Sequence, residues 1–323
     1  MTRLIRASAL VLVLALAACG DDEPDSPSAG ESAAPEVTSV EDVQVATLTL
    51  TGEPDWLAAD EHGLWVQQGS GELVLVDPTT NEQAGSVDVG AAELCQGLGA
   101  SFGAVWTCEG SDVVRVDPDT FEVVARLKVK KQAVQGHLVG DFEHVWVLTG
   151  DGSSLVGIDP ATNRVATEFE LPARCSDVSL AADALWLPCR VDDRVLKVDP
   201  ASGKVLLDVD LDNPVEIAVD GDVWIGTATS TVQLDPDTGE VLAELDAGAE
   251  PDGGVDLDAD SVWVRNSEDF LLQFDRETGA QVQQITADVT SGGDMLILDG
   301  NIWISAYDDQ TLFRLDPSAG GGG

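Results

Sequence analysis

The sequence predicts an all-β fold, a seven-bladed β-propeller with four antiparallel strands in each blade. Tryptophans recur about every 40 residues, an aspartate ends an apolar run eleven to thirteen residues after each of them, and strand-like runs flank every turn except the last, which has one only on its N-terminal side. A fixed period near 40 residues is typical of repeat folds, and four short strands per repeat are typical of a propeller blade. The periodic tryptophans are Trp65, Trp106, Trp146, Trp186, Trp224, Trp263 and Trp303.

The periodic aspartates predict a hairpin turn between the third and fourth strands of each repeat. They are Asp77, Asp117, Asp159, Asp199, Asp235, Asp275 and Asp316. Proline follows six of them, and Arg276 takes its place in the sixth copy. Proline presets the first turn position, and the Asn or Gly that closes most copies tolerates the left-handed backbone. Phe121 stands at that closing position in the second copy and is the exception.

The two ends of the repeat array predict how the ring closes. Helical periodicity is absent, and the seventh repeat stops after Asp316 and Pro317 without an outer strand. The run Val43–Leu50 has outer-strand character but no repeat of its own. Because an open edge in the last blade would be exposed to pairing with other chains, we expect this N-terminal strand to complete the last blade.

Residues 1–18 have the pattern of a lipoprotein signal peptide. Arg3 and Arg6 form a basic region, and the apolar run that follows is too short to span a bilayer. The segment Leu16-Ala17-Ala18-Cys19 resembles the bacterial lipobox, in which the cysteine is acylated and becomes the mature N-terminus. The alternative is an ordinary secretory signal with a cysteine at its cleavage site.

The segment that follows predicts a tether between a membrane and the propeller. Residues 19–40 are rich in acidic and small polar residues and cannot bury enough apolar surface to fold, whereas residues 41–323 carry the repeats. We therefore expect a disordered acidic tether and a propeller anchored by its lipid to the extracytoplasmic face of a bacterial membrane.

The remaining cysteines predict two disulfides, Cys95 with Cys108 and Cys175 with Cys189. Each pair flanks the hairpin between the first two strands of its repeat, at nearly equivalent positions. An exported location favours oxidation, although four cysteines allow three connectivities. A metal site is the rival interpretation, but the chain has no C-x-x-C spacing and no nearby histidine pair. We expect no metal.

The net charge of −43 excludes nucleic acid as a natural partner, since phosphate backbones would be repelled. Cations and basic partners would be attracted. The alternative is that these acids serve solubility alone: most of them lie in turns and in the tether, where water solvates them and where they keep a monomer soluble.

A polar residue eight to eleven positions before each periodic tryptophan predicts a ring at one mouth of the central channel. The residues are Asp55, Gln96, Gln135, Asp177, Glu216, Asp252 and Asp294. Such a ring suits a cation, an amine or sugar hydroxyls, but these residues also suit a purely structural role toward backbone groups. The periodic tryptophans themselves are expected in the core, and Trp56, beside Asp55, is the tryptophan expected to contact a ligand.

From Val43 to Pro317 the repeat resembles YVTN-type and streptogramin-lyase-like propellers, as in Leu64-Trp65-Val66 and Val223-Trp224-Ile225. That resemblance implies the fold and leaves function open, because such propellers include lyases, cofactor enzymes and interaction scaffolds. The lyases use histidines with a glutamate near the channel. Here His62 and His144 fall in predicted hairpin tips, and His137 stands alone near a strand entry, which favours a structural role.

The sequence therefore favours a lipid-anchored, non-catalytic binding or interaction module in the cell envelope, with a protein or envelope component as partner and with no cofactor. No catalytic residues are assigned, because the chain has no G-x-S-x-G motif and no phosphate-binding loop. The alternatives are a small-ligand or cation binder, or a lyase-like enzyme, that uses the channel mouth. A subunit assisting an envelope machine or sensor is a third interpretation.

Overall fold

The computed structural model describes residues 34–90, 97–129, 136–141, 143–181, 183–249, 253–289 and 292–320. Residues from Ala34 onward form one compact unit that carries every strand of the described chain. Seven sheets, each built on four antiparallel strands, follow one another along the sequence. The predicted seven-bladed β-propeller is confirmed.

The strands of the blades follow the order of the sequence. Blades one to three contain β3 (Pro54–Asp60), β4 (Gly63–Gln68), β5 (Glu72–Asp77), β6 (Glu82–Asp88), β7 (Leu98–Ser101), β8 (Ala104–Glu109), β9 (Asp112–Asp117), β10 (Glu122–Lys128), β11 (Val139–Gly140), β12 (Val145–Thr149), β13 (Ser154–Asp159) and β14 (Arg164–Glu170). Blades four and five contain β15 (Ser179–Ala181), β16 (Ala184–Cys189), β17 (Arg194–Val198), β18 (Val205–Asp210), β19 (Pro214–Asp220), β20 (Asp222–Thr227), β21 (Thr231–Leu234) and β22 (Val241–Leu245). Blades six and seven contain β1 (Glu36–Ser39), β2 (Gln44–Thr49), β23 (Gly254–Leu257), β24 (Ser261–Asn266), β25 (Phe270–Asp275), β26 (Gln281–Thr286), β27 (Met295–Leu298), β28 (Asn301–Ala306) and β29 (Thr311–Leu315).

Short helical segments connect or follow these strands in the described chain. They are α1 (Val40–Val43) and two 3₁₀ turns, Arg190–Asp192 and Pro317–Gly320. Within the described residues, none of the helices has the length and apolar character needed to cross a membrane.

The first strand of each blade lines the central channel. These strands contact one another in sequence around the ring, and β27 of blade seven returns to contact β3 of blade one. Each first strand begins at one end of the channel, called here the mouth, and each hairpin between first and second strands, called a tip, lies at the other end. A tip is illustrated by Asp60–Gly63.

The seven periodic tryptophans form the core between the blades, as predicted. Each lies on the second strand of its blade and is at most 2% exposed. Aspartates in three tips satisfy the buried indole N–H groups. Trp65 Nε1 donates to Asp60 at 3.2 Å, Trp146 Nε1 to Asp141 at 2.6 Å and Trp263 Nε1 to Asp258 at 2.8 Å. In each case the acceptor lies five residues before the tryptophan.

The predicted aspartate turns are also present. In six of them the aspartate Oδ1 accepts a backbone N–H two residues on, as Asp159 does from Ala161 and Asp235 from Asp237, and in the sixth blade Asp275 accepts from Thr278. Residues at the closing position adopt positive φ, including Asn81 at 58°. Phe121 keeps this geometry at 56°, and its ring lies over Gly85, where no side chain blocks it.

Basic side chains on third strands connect neighbouring blades. The guanidinium of Arg115 lies over the Trp106 ring and donates to Pro160 O, which belongs to the turn of the next blade. Lys197 makes the same pair of contacts with Trp186 and Pro236. Arg314 repeats it across the closure of the ring, from blade seven to the turn of blade one. These bridges tie three of the core tryptophans, Trp106, Trp186 and Trp303, to the following blade.

The N-terminal strand closes the ring as predicted. Strand β2 pairs antiparallel with β29 and becomes the outer strand of blade seven. The propeller begins earlier than the predicted boundary at residue 41, because β1 pairs in parallel with β26 as a fifth strand of blade six. Val40 and Val43, between these strands, are buried against both blades. The unpaired edge of β26 explains why a segment of such low hydrophobicity is ordered there.

The disulfide between Cys175 and Cys189 is confirmed. It joins the entry of blade four to the end of its second strand, β16. Cys108 is disulfide-bonded as well, but Cys95 lies outside the described residues, so the pairing of these two stays a prediction. Cys19 also lies outside the described residues, and its acylation stays a prediction.

Candidate functional site at the channel mouth

The channel mouth brings together side chains from equivalent positions of different blades. Trp56, His137, Asp177 and Asp294 each lie nine residues before the core tryptophan of their blade, and Glu216 lies eight residues before Trp224. Each therefore stands where the chain enters the first strand of a blade. The site comprises His137, Asp177, Glu216 and Asp294, with Trp56 and Asp256 at its border.

His137 is the centre of this group. Its backbone N–H donates to Asp177 Oδ1 at 2.7 Å, and its ring Nδ1 lies 3.0 Å from Asp177 Oδ2. On the other side of the ring, Nε2 lies 3.7 Å from Asp294 Oδ2. The Trp56 ring meets the imidazole edge-to-face with centroids 4.9 Å apart. His137, which enters blade three, thus contacts residues of blades one, four and seven.

Gly136 allows this close approach of the chain to Asp177. Its φ is +135°, which side-chain-bearing residues rarely adopt. A Cβ at this position would lie 2.9 Å from both Asp177 Oδ1 and Ser176 O. The absence of a side chain at Gly136 therefore lets the backbone of His137 reach the Asp177 carboxylate.

Asp294 and Asp256 are held by backbone donors from neighbouring blades. Asp294 accepts the N–H of Leu57 and of Met295, at 2.8 and 2.7 Å. Asp256 accepts the N–H of Ile297 and of Leu257, both at 2.8 Å. Both carboxylates therefore link adjacent blades and have positions fixed by the backbone. The sequence left open whether polar residues at the strand entries bind a ligand or only satisfy backbone groups. Asp294 satisfies backbone groups and also lies close to His137.

The charges of the site are strongly coupled. Burial opposes a charged imidazole, but Asp177 and Asp294 outweigh it and raise the pKa of His137 well above its usual value. Burial likewise opposes ionisation of Asp177, yet the charge and hydrogen bonds of His137 lower the pKa of that carboxyl. Burial, followed by the negative charge of Asp177, raises the pKa of Glu216 well above its usual value. The imidazole and the Asp177 carboxyl therefore favour each other's charged forms, and Glu216 is the carboxyl of this group whose protonated form is favoured.

Asp256 is a second carboxyl of the site with a raised pKa. Burial, opposed by the backbone donors of Ile297 and Leu257, raises the pKa of Asp256 to about 6. It stands close enough to Asp294 for that carboxylate to contribute to the shift. Two neighbouring blades thus place their carboxyl groups against one small volume.

A cavity of about 310 Å³ opens beside these groups. His137, Glu216, Asp256 and Asp294 line it together with Ser179 and Asp220, and mostly apolar residues of the first strands form the rest of its wall. Among the described lining residues, His137 is the only basic one. The cavity is therefore suited to a small cationic or polar ligand.

The structure places the predicted ring residues unequally. It brings Asp177, Glu216 and Asp294 together, while Asp55 contributes a charge near Tyr307 and does not line the cavity. Trp56 contacts His137. Gln96, Gln135 and Asp252 lie outside the described residues, so their part in a ring stays a prediction.

The expectation that His137 stands alone is wrong. His62 and His144 do lie in tips, but His137 is surrounded by the carboxylates of two other blades. The spacing of nine residues to the core tryptophan, shared with Asp177 and Asp294, was the signal that could have placed it there. Asp256 was also missed, and no such signal identifies it, because the equivalent positions of the other blades carry apolar or small residues.

Fold and site together define a seven-bladed β-propeller with an acidic, histidine-centred channel mouth. The family model described as outer membrane protein assembly factor BamB matches residues 109–320. This range spans 212 of the 323 residues, and the chain belongs to that family. No curated protein sequence matches the chain.

Solved structures with the same fold are distant in sequence. The WD40 domain of Neurospora crassa Pan2 aligns with a TM-score of 0.72 at 9% identity, covering 88% of this chain and 98% of that domain. Virginiamycin B lyase from Staphylococcus aureus aligns at 0.71 and 14% identity, covering 84% and 98%. The computationally designed Ika8 protein aligns at 0.66 and 14% identity, covering 84% and 99%. At such identities the similarity concerns the fold alone, and it agrees with the lyase-like propeller indicated by the sequence.

Proposed function

We propose that this protein is a lipid-anchored, extracytoplasmic propeller that acts as a non-catalytic interaction module in the bacterial cell envelope. Its partner is a protein or another envelope component, held by a monomeric propeller. The observation that carries the proposal is the match to the BamB family over residues 109–320, a family whose description places an assembly factor at the outer membrane. The signal-like segment before Cys19 and the disulfide of blade four support an exported location.

Anchoring is tested by replacing the acylated residue. The wild-type chain and a Cys19→Ser variant are expressed in a bacterium supplied with a labelled fatty acid, and membranes are separated from soluble fractions. We expect label and membrane association in the wild type and neither in the variant. Equal membrane association of the two chains, with no label in either, would contradict the anchor.

Interaction is tested by crosslinking native membranes and purifying the propeller. We expect one stoichiometric companion with the wild type and its loss with Cys19→Ser, because the variant is no longer held at the membrane. A wild-type propeller recovered without any companion would argue against an interaction module.

A second candidate function is ligand binding at the channel mouth. The specific observation that favours it is the convergence of His137, Asp177, Glu216 and Asp294 beside a cavity. Carboxylates at a partly enclosed site attract cations more strongly than carboxylates in free solution, since the local dielectric is lower. The ligand class is therefore cationic, a metal ion or an amine.

Thermal shift in the presence of cations and polyamines tests the second function. The double variant Asp177→Asn/Glu216→Gln removes two carboxyl groups of the site, and Asp237→Asn/Glu240→Gln makes the same pair of substitutions in an exposed turn of blade five. We expect the first variant to lose the ligand-induced rise in Tm and the second to retain it. Equal responses in both variants would attribute the effect to the overall charge.

A further inference from the structure

Three donor side chains from consecutive blades converge at the channel mouth. His137, Asp177 and Glu216 each offer one ligand atom, and these atoms lie within 4.8 Å of one another. Donors that share an ion at about 2.1 Å lie about 3.4 Å apart in tetrahedral geometry, so side-chain movements of about 1 Å would complete the set. We propose that His137, Asp177 and Glu216 bind a divalent transition-metal ion, of the Zn²⁺ or Mn²⁺ type, at the channel mouth.

The donor set determines the kind of cation. Imidazole suits Zn²⁺ and other transition metals, whereas Ca²⁺ and Mg²⁺ prefer sites made of oxygen ligands. One imidazole with two carboxylates matches the mixed nitrogen and oxygen sets of three-ligand zinc centres. Zn²⁺ is therefore bound more tightly than Mn²⁺, and both more tightly than Ca²⁺ or Mg²⁺.

The surroundings of His137 are those of a metal-binding imidazole. Asp177, one of the proposed ligands, lies 3.0 Å from its Nδ1, and Asp294, which is not a proposed ligand, lies 3.7 Å from its Nε2 on the other side of the ring. Such partners orient the ring and strengthen the ligand. Trp56 packs against the ring from the side and limits its rotation.

The cavity leaves coordination positions of the ion open. Three protein ligands do not complete a tetrahedral or octahedral shell, and the cavity of about 310 Å³ reaches His137 and Glu216 directly. The remaining positions accept water or the carboxylate or phosphate oxygen of a second ligand. The ion would thus convert a mouth that repels anions into one that holds an anionic group of a partner.

Metal titration of the mature chain, with disulfides intact and in detergent, tests the proposal, which rests on the second candidate function above. Isothermal titration with Zn²⁺, Mn²⁺, Ca²⁺ and Mg²⁺ is combined with absorption spectroscopy of bound Co²⁺. We expect one Zn²⁺ per chain and a Kd raised on the order of 100-fold or more in His137→Ala and Glu216→Gln, beyond the roughly 10–100-fold typical for loss of an outer-shell group.

The control variant is His62→Ala. His62 also lies between two carboxylates, Asp60 and Asp119, but in the tip of blade one, away from the mouth. We expect it to bind Zn²⁺ and Co²⁺ as the wild type does. Loss of binding in His62→Ala with retention in His137→Ala would overturn the proposal.

Two further measurements, pulsed EPR and thermal shift with spermidine, test the proposal even if a variant of His137 or Glu216 does not fold. Pulsed EPR of Mn²⁺ in the wild-type chain reports coupling to an imidazole nitrogen, and absence of that coupling in the bound ion would overturn the assignment. If no metal binds but spermidine raises the Tm of the wild type and not of Asp177→Asn/Glu216→Gln, the channel-mouth function stands and the metal site fails. If neither ligand binds, both fail.

Discussion

Asp258 is the single residue whose removal tests the packing of the blades most sharply. Its Oδ2 accepts the indole N–H of Trp263 at 2.8 Å, and its Oδ1 accepts the backbone N–H of Asp260 and of Ser261 at 2.9 and 2.7 Å. Trp263 is 1% exposed, so water cannot replace the lost acceptor without opening the core. The variant Asp258→Ala removes all three hydrogen bonds.

The expected loss of stability follows from these contacts. A buried donor left without a partner costs about 1–3 kcal/mol, and the tip amides add about 1 kcal/mol because water reaches them in part. The free energy of unfolding should therefore fall by about 2–4 kcal/mol, which lowers the Tm of a domain of this size by roughly 3–7 °C. Differential scanning calorimetry of the purified wild type and variant measures this shift in Tm.

Two matched variants decide what a loss of stability means. Asp260→Ala removes the same charge from an exposed side chain in the same tip, and Asp258→Asn keeps an acceptor oxygen. We expect Asp260→Ala to leave the Tm nearly unchanged and Asp258→Asn to recover part of the loss. An Asp258→Ala variant as stable as Asp260→Ala would refute the account of the tips.

Three further predictions concern pH, the site and the disulfide. The pKa of Asp256 is raised to about 6 from 3.8, so its protonation favours the folded state at low pH, and this stabilisation is lost as the pH rises through about 4 to 6. The shift in pKa corresponds to at most about 3 kcal/mol in the free energy of unfolding. The variant Asp256→Asn should therefore flatten the fall in Tm between pH 4 and pH 7. An unchanged pH profile in that variant would contradict the assigned state. The variant Gly136→Ala should displace Asp177 and lower the affinity for any ligand of the channel mouth at least tenfold. The control Gly110→Ala, where a Cβ meets nothing within 4 Å, should leave that affinity unchanged. Equal ligand affinities in the two variants would contradict the role given to the close approach at Gly136. Replacing both cysteines of the blade-four disulfide, which are 14 residues apart, with serine should cost about 3 kcal/mol in chemical denaturation, and an unchanged midpoint would exclude that contribution.

The aspartate turns should lose stability as the pH falls, which is opposite to the effect of Asp256. Hydrogen bonds from the turn backbone and from hydroxyl groups lower the pKa of aspartates such as Asp159 and Asp235. Stability from these groups is present above their unfolded pKa and is lost as pH falls through the folded one. The Tm should therefore pass through a maximum on the acidic side of neutrality rather than rise steadily toward acid.

The architecture could be predicted from the sequence because each repeat carries its own local signals. Tryptophan, aspartate and the left-handed closing residue recur with fixed spacing, and each is needed by local geometry in every blade. The N-terminal closure followed from counting strands. Strand β1 did not follow, because its order depends on the free edge of β26 and not on its own composition.

The candidate site was predictable only in part for a related physical reason. Alignment on the tryptophans identifies which residues enter the first strands, and this placed Asp177, Glu216 and Asp294 at one mouth. It does not report which side chains cross the channel, since that depends on the ring as a whole. His137 lies close to Asp294 of a blade that is distant in sequence, and the sequence of a single repeat does not predict that contact.

The most direct test of the proposed interaction module is quantitative mass spectrometry of crosslinked native membranes after purification of the propeller. Three chains are compared: the wild type, Cys19→Ser, and the channel variant Asp177→Asn/Glu216→Gln. We predict a stoichiometric companion with the wild type and with the channel variant, and its loss with Cys19→Ser. Recovery of the wild-type propeller alone would contradict the interaction module and leave ligand binding at the channel mouth as the function to pursue.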